Sequence, residues 1–443
     1  MTQVLPKDER YNTDFASLVA QRKQEPDWLR ELRQNGLDAF NELGFPTARR
    51  GNEAWKYTDI RPLAAGTFDH PTTPGEVSAA ILEQRLPFDS KMHRVVLVDG
   101  HFAPQLSRTN DDGMTVSALS EAVERQPELV REHLGQYATP HHGAFVGLNT
   151  ALWREGVFIH VTRPEETPVH IAYVTSDHSR PVVTYPRALI VAGPMSEVSV
   201  VETFVSTGEI SHFTDFVTEV VVTEGAKVRL ARLLLENQRS FHVGHVRVEQ
   251  GHDSNFETVS FQAGGGLVRV DNEVMLAELG SSATINGLYI TSGDQHIDNM
   301  INIDHAAPHT TSRLYYKGIL DDHSHAVFGG TVFVRKGADK TDAHQEDKNL
   351  LLSHEAEVDS KPALEIYADD VKAGHGATAG AIADEALFYM RSRGLDEDTA
   401  MQFLVRGFAA EIIETVAVES LREWLEEQTL RVLPRFAREA VRA

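Results

Sequence analysis

The chain has 443 residues, 41% hydrophobic and 24% charged, enough for roughly two to four structural units around a sizeable core. Its formal net charge of −23 repels phosphate backbones and anionic lipid surfaces, so neither nucleic acid nor a membrane is an expected partner. It contains no cysteine, which excludes disulfides, thiolate-bound zinc, a cysteine nucleophile and iron–sulfur ligation by its own thiolates. Met1 to Glu9 carry no apolar signal-peptide core, and no stretch approaches spanning length, so the expected location is the cytoplasm.

Residues 1–92 read as a helical domain. Asp27 is placed to cap a helix carrying Trp28, Leu29, Leu32, Phe40 and Leu43, with Gly36 as a weak point and Gly44/Pro46 as a stop. Arg49 to Arg61 mixes aromatics with charges and has no clean period, and Pro71, Pro74 and Gly75 mark a loop. From His93 to Tyr367 short β-branched runs alternate with turn residues, for example Val157-Phe158-Ile159-His160-Val161 and Phe216 to Val222. Gly193, Gly225, Gly251, Gly280 and Pro308 each close one such run and precede another, at intervals of roughly thirty residues. An imperfect repeat of that size predicts a β-solenoid over residues 93–367, with a jelly-roll sandwich as the rival.

Residues 368–443 turn helical again. A segment from Asp384 to Arg393 stops at Gly394, and Asp396, Glu397 and Asp398 open a helix with a stripe of Met401, Leu404, Phe408, Ile412 and Val416. A last helix is expected from about Glu419 to Arg435, with Arg431, Arg435, Arg438 and Arg442 gathered near its end. The helices at both termini are expected to act as lids on the open edges of the solenoid, since solenoid ends need covering.

Ala368 to Gly380, ADDVKAGHGATAG, invites a phosphate-loop reading. However, Gly374, Gly376 and Gly380 miss the G-x-G-x-x-G spacing by one residue, and no second strand follows. No G-x-x-x-x-G-K-[ST] is present; Gly264 to Gly266 reads as a tight turn. Histidines crowd the second half (His305, His309, His323, His325, His344, His354, His375), and His323 and His325 would share a strand face, but no H-E-x-x-H occurs. Asp321-Asp322 and Asp369-Asp370 are the paired acids a glycosidase would need, and G-x-S-x-G is absent. The residues alone therefore point to an interaction protein. A β-helix carbohydrate-active enzyme and a standalone histidine-rich metal-binding protein remain as alternatives.

Two stretches go further. RRGNEAWKYTDIRPL (Arg49 to Leu63) and LEIYADDVKAGHGATAGAIADEALFYMRSRGL (Leu364 to Leu395) resemble the N- and C-terminal signatures of the SufB/SufD family of the SUF iron–sulfur cluster assembly machine. Ala373 stands where the scaffold branch has the cysteine of K-C-S-H-G-A-T, so the chain is similar to the SufD branch. The resemblance implies a right-handed parallel β-helix between helical domains and no catalytic residue. It implies pairing with SufB, docking of the SufC ATPase on the C-terminal helices, and sulfur supplied by a SufS/SufE-type donor. A nascent iron–sulfur cluster would form at the SufB interface beside His375, with Lys372 and His354 as less certain neighbours. Gly374 and Gly376 would hold His375 on a turn at the exit of the β-helix. The isolated chain would hold no cofactor or metal, and its exposed β-helix edge could self-pair into a homodimer.

Overall fold

Pairs of strands separated by sharp turns are the unit from which the middle of the chain is built. The computed structural model describes residues 9–48, 52–87, 91–109 and 114–433. Helices α1 (Arg10–Gln21), α2 (Asp27–Leu43), α3 (Arg61–Ala65) and α4 (Ala79–Arg85) precede strands β1 (His93–Val98), β2 (His101–Phe102) and β3 (Met114–Ala118). Three more helices follow, α5 (Leu119–Arg125), α6 (Pro127–His133) and α7 (Ala144–Leu152). Next come β4 (Gly156–Val161), β5 (Val169–Thr175), β6 (Val182–Thr184), β7 (Arg187–Ala192), β8 (Glu197–Ser206), β9 (His212–Val222), β10 (Lys227–Leu235), β11 (Phe241–Gln250) and β12 (Asn255–Gln262). The run continues through β13 (Leu267–Leu276), β14 (Ser282–Thr291), β15 (His296–His305), β16 (Thr311–Leu320), β17 (His325–Val334), β18 (Asp342–Leu351), β19 (Glu357–Ile366) and β20 (Lys372–Ala381). Helices α8 (Asp384–Ser392), α9 (Glu397–Ile413) and α10 (Glu419–Arg431) complete the order.

Successive strands fall alternately into two sheets. One has the order β2-β1-β5-β8-β10-β12-β14-β16-β18-β20, the other β19-β17-β15-β13-β11-β9-β7-β4-β3. From β5 onward every pairing is parallel, so the chain winds as a two-sheet solenoid of about 8 turns, not a jelly roll. The recurring positions read from the sequence all sit at one corner, where the chain passes from the second sheet to the first. Gly225 (φ 62) and Gly280 (φ 75) take the left-handed conformation that such a corner requires.

Parallel pairing in register stacks like positions over one another. Val198, Val228, Phe256, Ala283, Ser312, Ala343 and Ala373 form one such column on the inner face. The interior is dominated by Val and Ile, whose branched side chains fit a pleated, two-sided burial. At the start of the solenoid the antiparallel strands β2 and β3 flank β1 and β4, whereas at the far end β19 and β20 each pair on one side only.

The terminal helices lie along the flanks and not over the ends, a correction to the expected lids. The cause is apolar residue placement on the outer faces of the middle coils. Val201, Leu233, Phe261, Leu288 and Ile319 face outward and are buried against Val405, Ile412, Leu421 and Leu425 of α9 and α10. Phe158, Leu189 and Phe213 of the other sheet are covered by α2, α5, α6 and α7. The helical layer thus combines residues before His93 with an insertion after β3. A buried ion pair ties it down. Glu219 accepts from Arg187 Nη2 (2.6 Å) and from the backbone N–H groups of Gly135 and Ala138 (2.9 and 3.1 Å), leaving its charge compensated inside the protein.

Several local expectations shift. Pro26, and not Asp27, occupies the cap of α2, and Asp27 pairs with Arg30 within the first turn. Asp396 caps α9 by accepting from Thr399 N (2.9 Å), but the buried stripe of that helix is rotated to Val405, Ala409, Ile412 and Ile413. Helix α10 ends at Arg431; Arg435, Arg438 and Arg442, like Arg49, Arg50 and Gly51, lie outside the described residues. Gly36 is buried where α2 crosses α7, and an added Cβ would stand 2.8 Å from both Ala151 N and Gly147 O. Helix propensity would gain ~1 kcal/mol from Gly36→Ala, but the clash with the α7 backbone outweighs it. The variant is therefore expected to lose about 1–3 kcal/mol in urea unfolding, and a gain in stability would refute this packing account.

Candidate functional site at the open end of the solenoid

The segment predicted as a glycine-flanked turn is a strand. Lys372 to Ala381 form β20, paired in parallel with β18, and neither Gly374 nor Gly376 has a positive φ. The turn comes earlier, at Asp369-Asp370, and the solenoid core runs past Tyr367 to Ala381. Gly and Ala are poor strand formers, and here the ladder offered by β18 overrides that preference.

The register decides where His375 points. It pairs with Gln345. Along β18, Ala343, Gln345, Asp347 and Asn349 are buried, whereas His344 and Glu346 are exposed. His375 therefore stands on the inner face with Ala373, Ala377 and Ala379, above Gln345, and is exposed because no further coil covers it. Its neighbours on β20 are alanines, so the mouth of the solenoid presents one functional side chain over a polar floor.

That floor is hydrogen-bonded in part. Gln345 Nε2 donates to Ala363 O (2.9 Å), Asn349 Nδ2 to Asp347 Oδ2 (2.7 Å), and Tyr289 Oη–H to Asn349 Oδ1. Gln345 Oε1 and Asp347 Oδ1 are buried without a hydrogen-bond partner among the described residues. Burial pushes the Asp347 carboxyl up to about 6, against the opposing effects of Ser360 and Asn349.

The other predicted residues are not brought to His375. Lys372 starts β20 in register with Asp342, is exposed, and lies on the opposite face of the strand from His375. His354 sits in the loop after β18, at the opposite corner of the coil. It lines an open concavity of about 810 Å³ with Asp321, Asp322, His323, Glu355 and Ala381. The paired acids serve turns: Asp322 accepts from Gly293 N (2.9 Å) and Asp370 pairs with Lys340. Among the described residues no group of three or more His, Cys, Asp or Glu is placed to hold a metal ion.

Sequence reading missed two features. The polar floor was hidden because Gln345, Asp347 and Asn349 look like an exposed polar run. The aromatic-rich segment after Asn52 is a strap across the outer face of the second sheet. Arg269 lies 3.9 Å over the Trp55 ring, and the buried Thr58 hydroxyl donates to Asp298. A third surface is apolar: Phe388 and Tyr389 on α8 and Phe403 on α9 are 75%, 58% and 53% exposed.

Residues 9–171 match the family model for the SufBD protein N-terminal region, and residues 173–408 that for the SufBD core domain of SUF system FeS cluster assembly. The chain is 32% identical to the iron–sulfur cluster assembly protein SufD of Escherichia coli over 91% of its length and 93% of the relative's. It is 31% identical to an iron–sulfur cluster assembly SufBD family protein of Synechocystis, over 89% of each. It is 25% identical to SufD of Bacillus subtilis over 95% and 97%.

The Asp347 carboxyl supplies a test of the polar floor. Its value is raised from 3.8 in the folded state, so it imposes no cost below about pH 4 and its full cost above about pH 6. Between those limits the stability of Asp347→Asn relative to wild type is expected to shift in the variant's favour by ~3 kcal/mol. Urea titrations across that range measure it, and a gap independent of pH would contradict a buried, proton-holding Asp347.

Proposed function

The chain belongs to the SufBD family of SUF iron–sulfur cluster assembly proteins, and from that premise we propose that it is the SufD-type, non-catalytic subunit of a SufB–SufC–SufD complex in the cytoplasm. In this reading it pairs with SufB through β19 and β20, and a nascent cluster forms where His375 faces the partner. SufC docks on the C-terminal helices, and sulfur reaches the complex from a SufS/SufE-type donor.

One observation carries the proposal: His375 is the functional side chain of an otherwise alanine-lined inner face, at the end of the solenoid left unpaired. Two strands with free N–H and C=O groups form a ready template for another chain. A cysteine-free protein cannot build a thiolate site alone, so soft ligands must come from across that edge. Imidazole is a fitting contribution, since mixed Cys/His ligation occurs in iron–sulfur centres. The cluster is cargo, and His375 would offer a ring nitrogen to it from a rigid strand. In the absence of SufB the same edge would support a homodimer. The exposed aromatics of α8 and α9 favour a docking role for that face. No helix among the described residues is long and apolar enough to cross a membrane.

Co-expression is expected to give a complex that contains this chain, SufB and SufC, and failure to co-purify with both would sink the proposal. His375→Ala should leave that complex intact and lower cluster formation on it, followed by the visible absorbance of the assembled cluster. Unchanged cluster yield would return His375 to a purely structural role. Phe388→Ser should weaken SufC retention and spare SufB pairing; pull-down of each partner reads the two effects separately.

A further inference from the structure

A second histidine site lies on the outer face of the second sheet, away from the mouth. His296 on β15 and His325 on β17 are register partners on adjacent strands, and their rings meet edge to face with centroids 4.9 Å apart. Their Nδ1 atoms are 3.2 Å apart. Each Nε2 is engaged elsewhere: His296 Nε2 with Thr58 Oγ1 at 2.9 Å, and His325 Nε2 with Asp359 Oδ2 at 2.9 Å.

Hydrogen-bond bookkeeping assigns the protons. The Thr58 hydroxyl gives its only proton to Asp298, so its oxygen must accept from His296 Nε2–H. The Asp359 carboxylate can only accept, so His325 Nε2 is also protonated. Each neutral imidazole therefore presents its Nδ1 lone pair to the other ring.

We propose that His296 and His325 form a binding site for a divalent transition cation of the zinc type, coordinated through both Nδ1 atoms. Two metal–nitrogen bonds of about 2.1 Å meeting at about 100° place the nitrogens ~3.2 Å apart, which is the separation found. Anchoring of each ring by an acceptor on its far nitrogen, a carboxylate in one case, is how ligating histidines are oriented in metal sites. His296 has His325 and Arg269 as its titratable neighbours. Arg269 is itself neutralised by Asp271 and Asp298 at 2.9 and 2.7 Å. Glu357 is in register beside His325, the charge of Lys56 is opposed by Asp359 among others, and Lys361 pairs with Glu53 at 3.8 Å. Water completes the coordination shell, because no third protein ligand is in place among the described residues. The bound ion links β15 to β17.

The test uses the untagged full-length chain and zinc chloride in equilibrium dialysis and calorimetry near neutral pH. One equivalent is expected to bind, with zinc X-ray absorption showing two imidazoles plus oxygen ligands. His296→Gln and His325→Gln should each abolish that equivalent. Asp359→Asn keeps both ligands and disturbs the fold least; it should weaken binding by at least about tenfold. His323→Gln and His354→Gln, both at exposed loop positions, should change nothing. Loss of binding in these loop variants, survival in the His296/His325 double variant, no bound equivalent in the wild type, or absence of imidazole from the absorption spectrum would overturn the assignment.

Discussion

In-register parallel stacking is the constraint on which the rest of this structure depends. Each coil inherits the inward and outward directions of the coil before it, because a residue paired across a parallel ladder points as its partner does. The inner columns admit polar groups at matched positions: Asp347 stacks over Tyr316, Gly287, Ser260, Arg232 and Glu202, the last two a buried ion pair, whereas Gln345 follows Leu314 and Ile285. His375 faces inward for no local reason. It does so because Gln345 does, and Gln345 follows Leu314 beneath it.

The helical layers depend on the same regularity. A flat-sided solenoid offers two broad outer faces, and this chain makes the middle of each apolar. One is then covered by the N-terminal helices with the inserted α5, α6 and α7, the other by α9 and α10. Two basic side chains admitted into these junctions are partnered. Arg187 and Glu219 are joined to each other and to backbone groups, and Lys317 reaches the Phe408 carbonyl of α9 at 2.8 Å. Removing either partner of such a pair would strand a buried charge, so these contacts fix how the layers seat more than they add stability.

The solenoid and its corner residues were legible because each corner imposes a local steric demand that glycine or proline meets, and because strand runs between them are β-branched. The insertion of α5, α6 and α7 was not legible: α7 is buried on every side, so it shows no amphipathic stripe. Strand β20 was misread as a turn because its Gly and Ala content carries a loop signature, while the partner strand that dictates its conformation lies about thirty residues earlier. His375 was found through its motif, but its inward direction needed the register. The strap contacts of Thr58 with His296 and Asp298 span more than half the chain, and nothing in the local sequence signals them.

The two ends of the stack differ in a way that limits what the protein can become. At one end short antiparallel strands terminate the ladder; at the other β19 and β20 are bare. A solenoid with two bare ends is a monomer for a fibre, since each added copy renews the growing tip. Here the two ends are unequal: β19 and β20 offer edges of ten residues each, whereas β2 and β3 offer two and five. Short edges are one way in which sheets blunt further pairing, so association through β19 and β20 favours a closed pair over a growing stack.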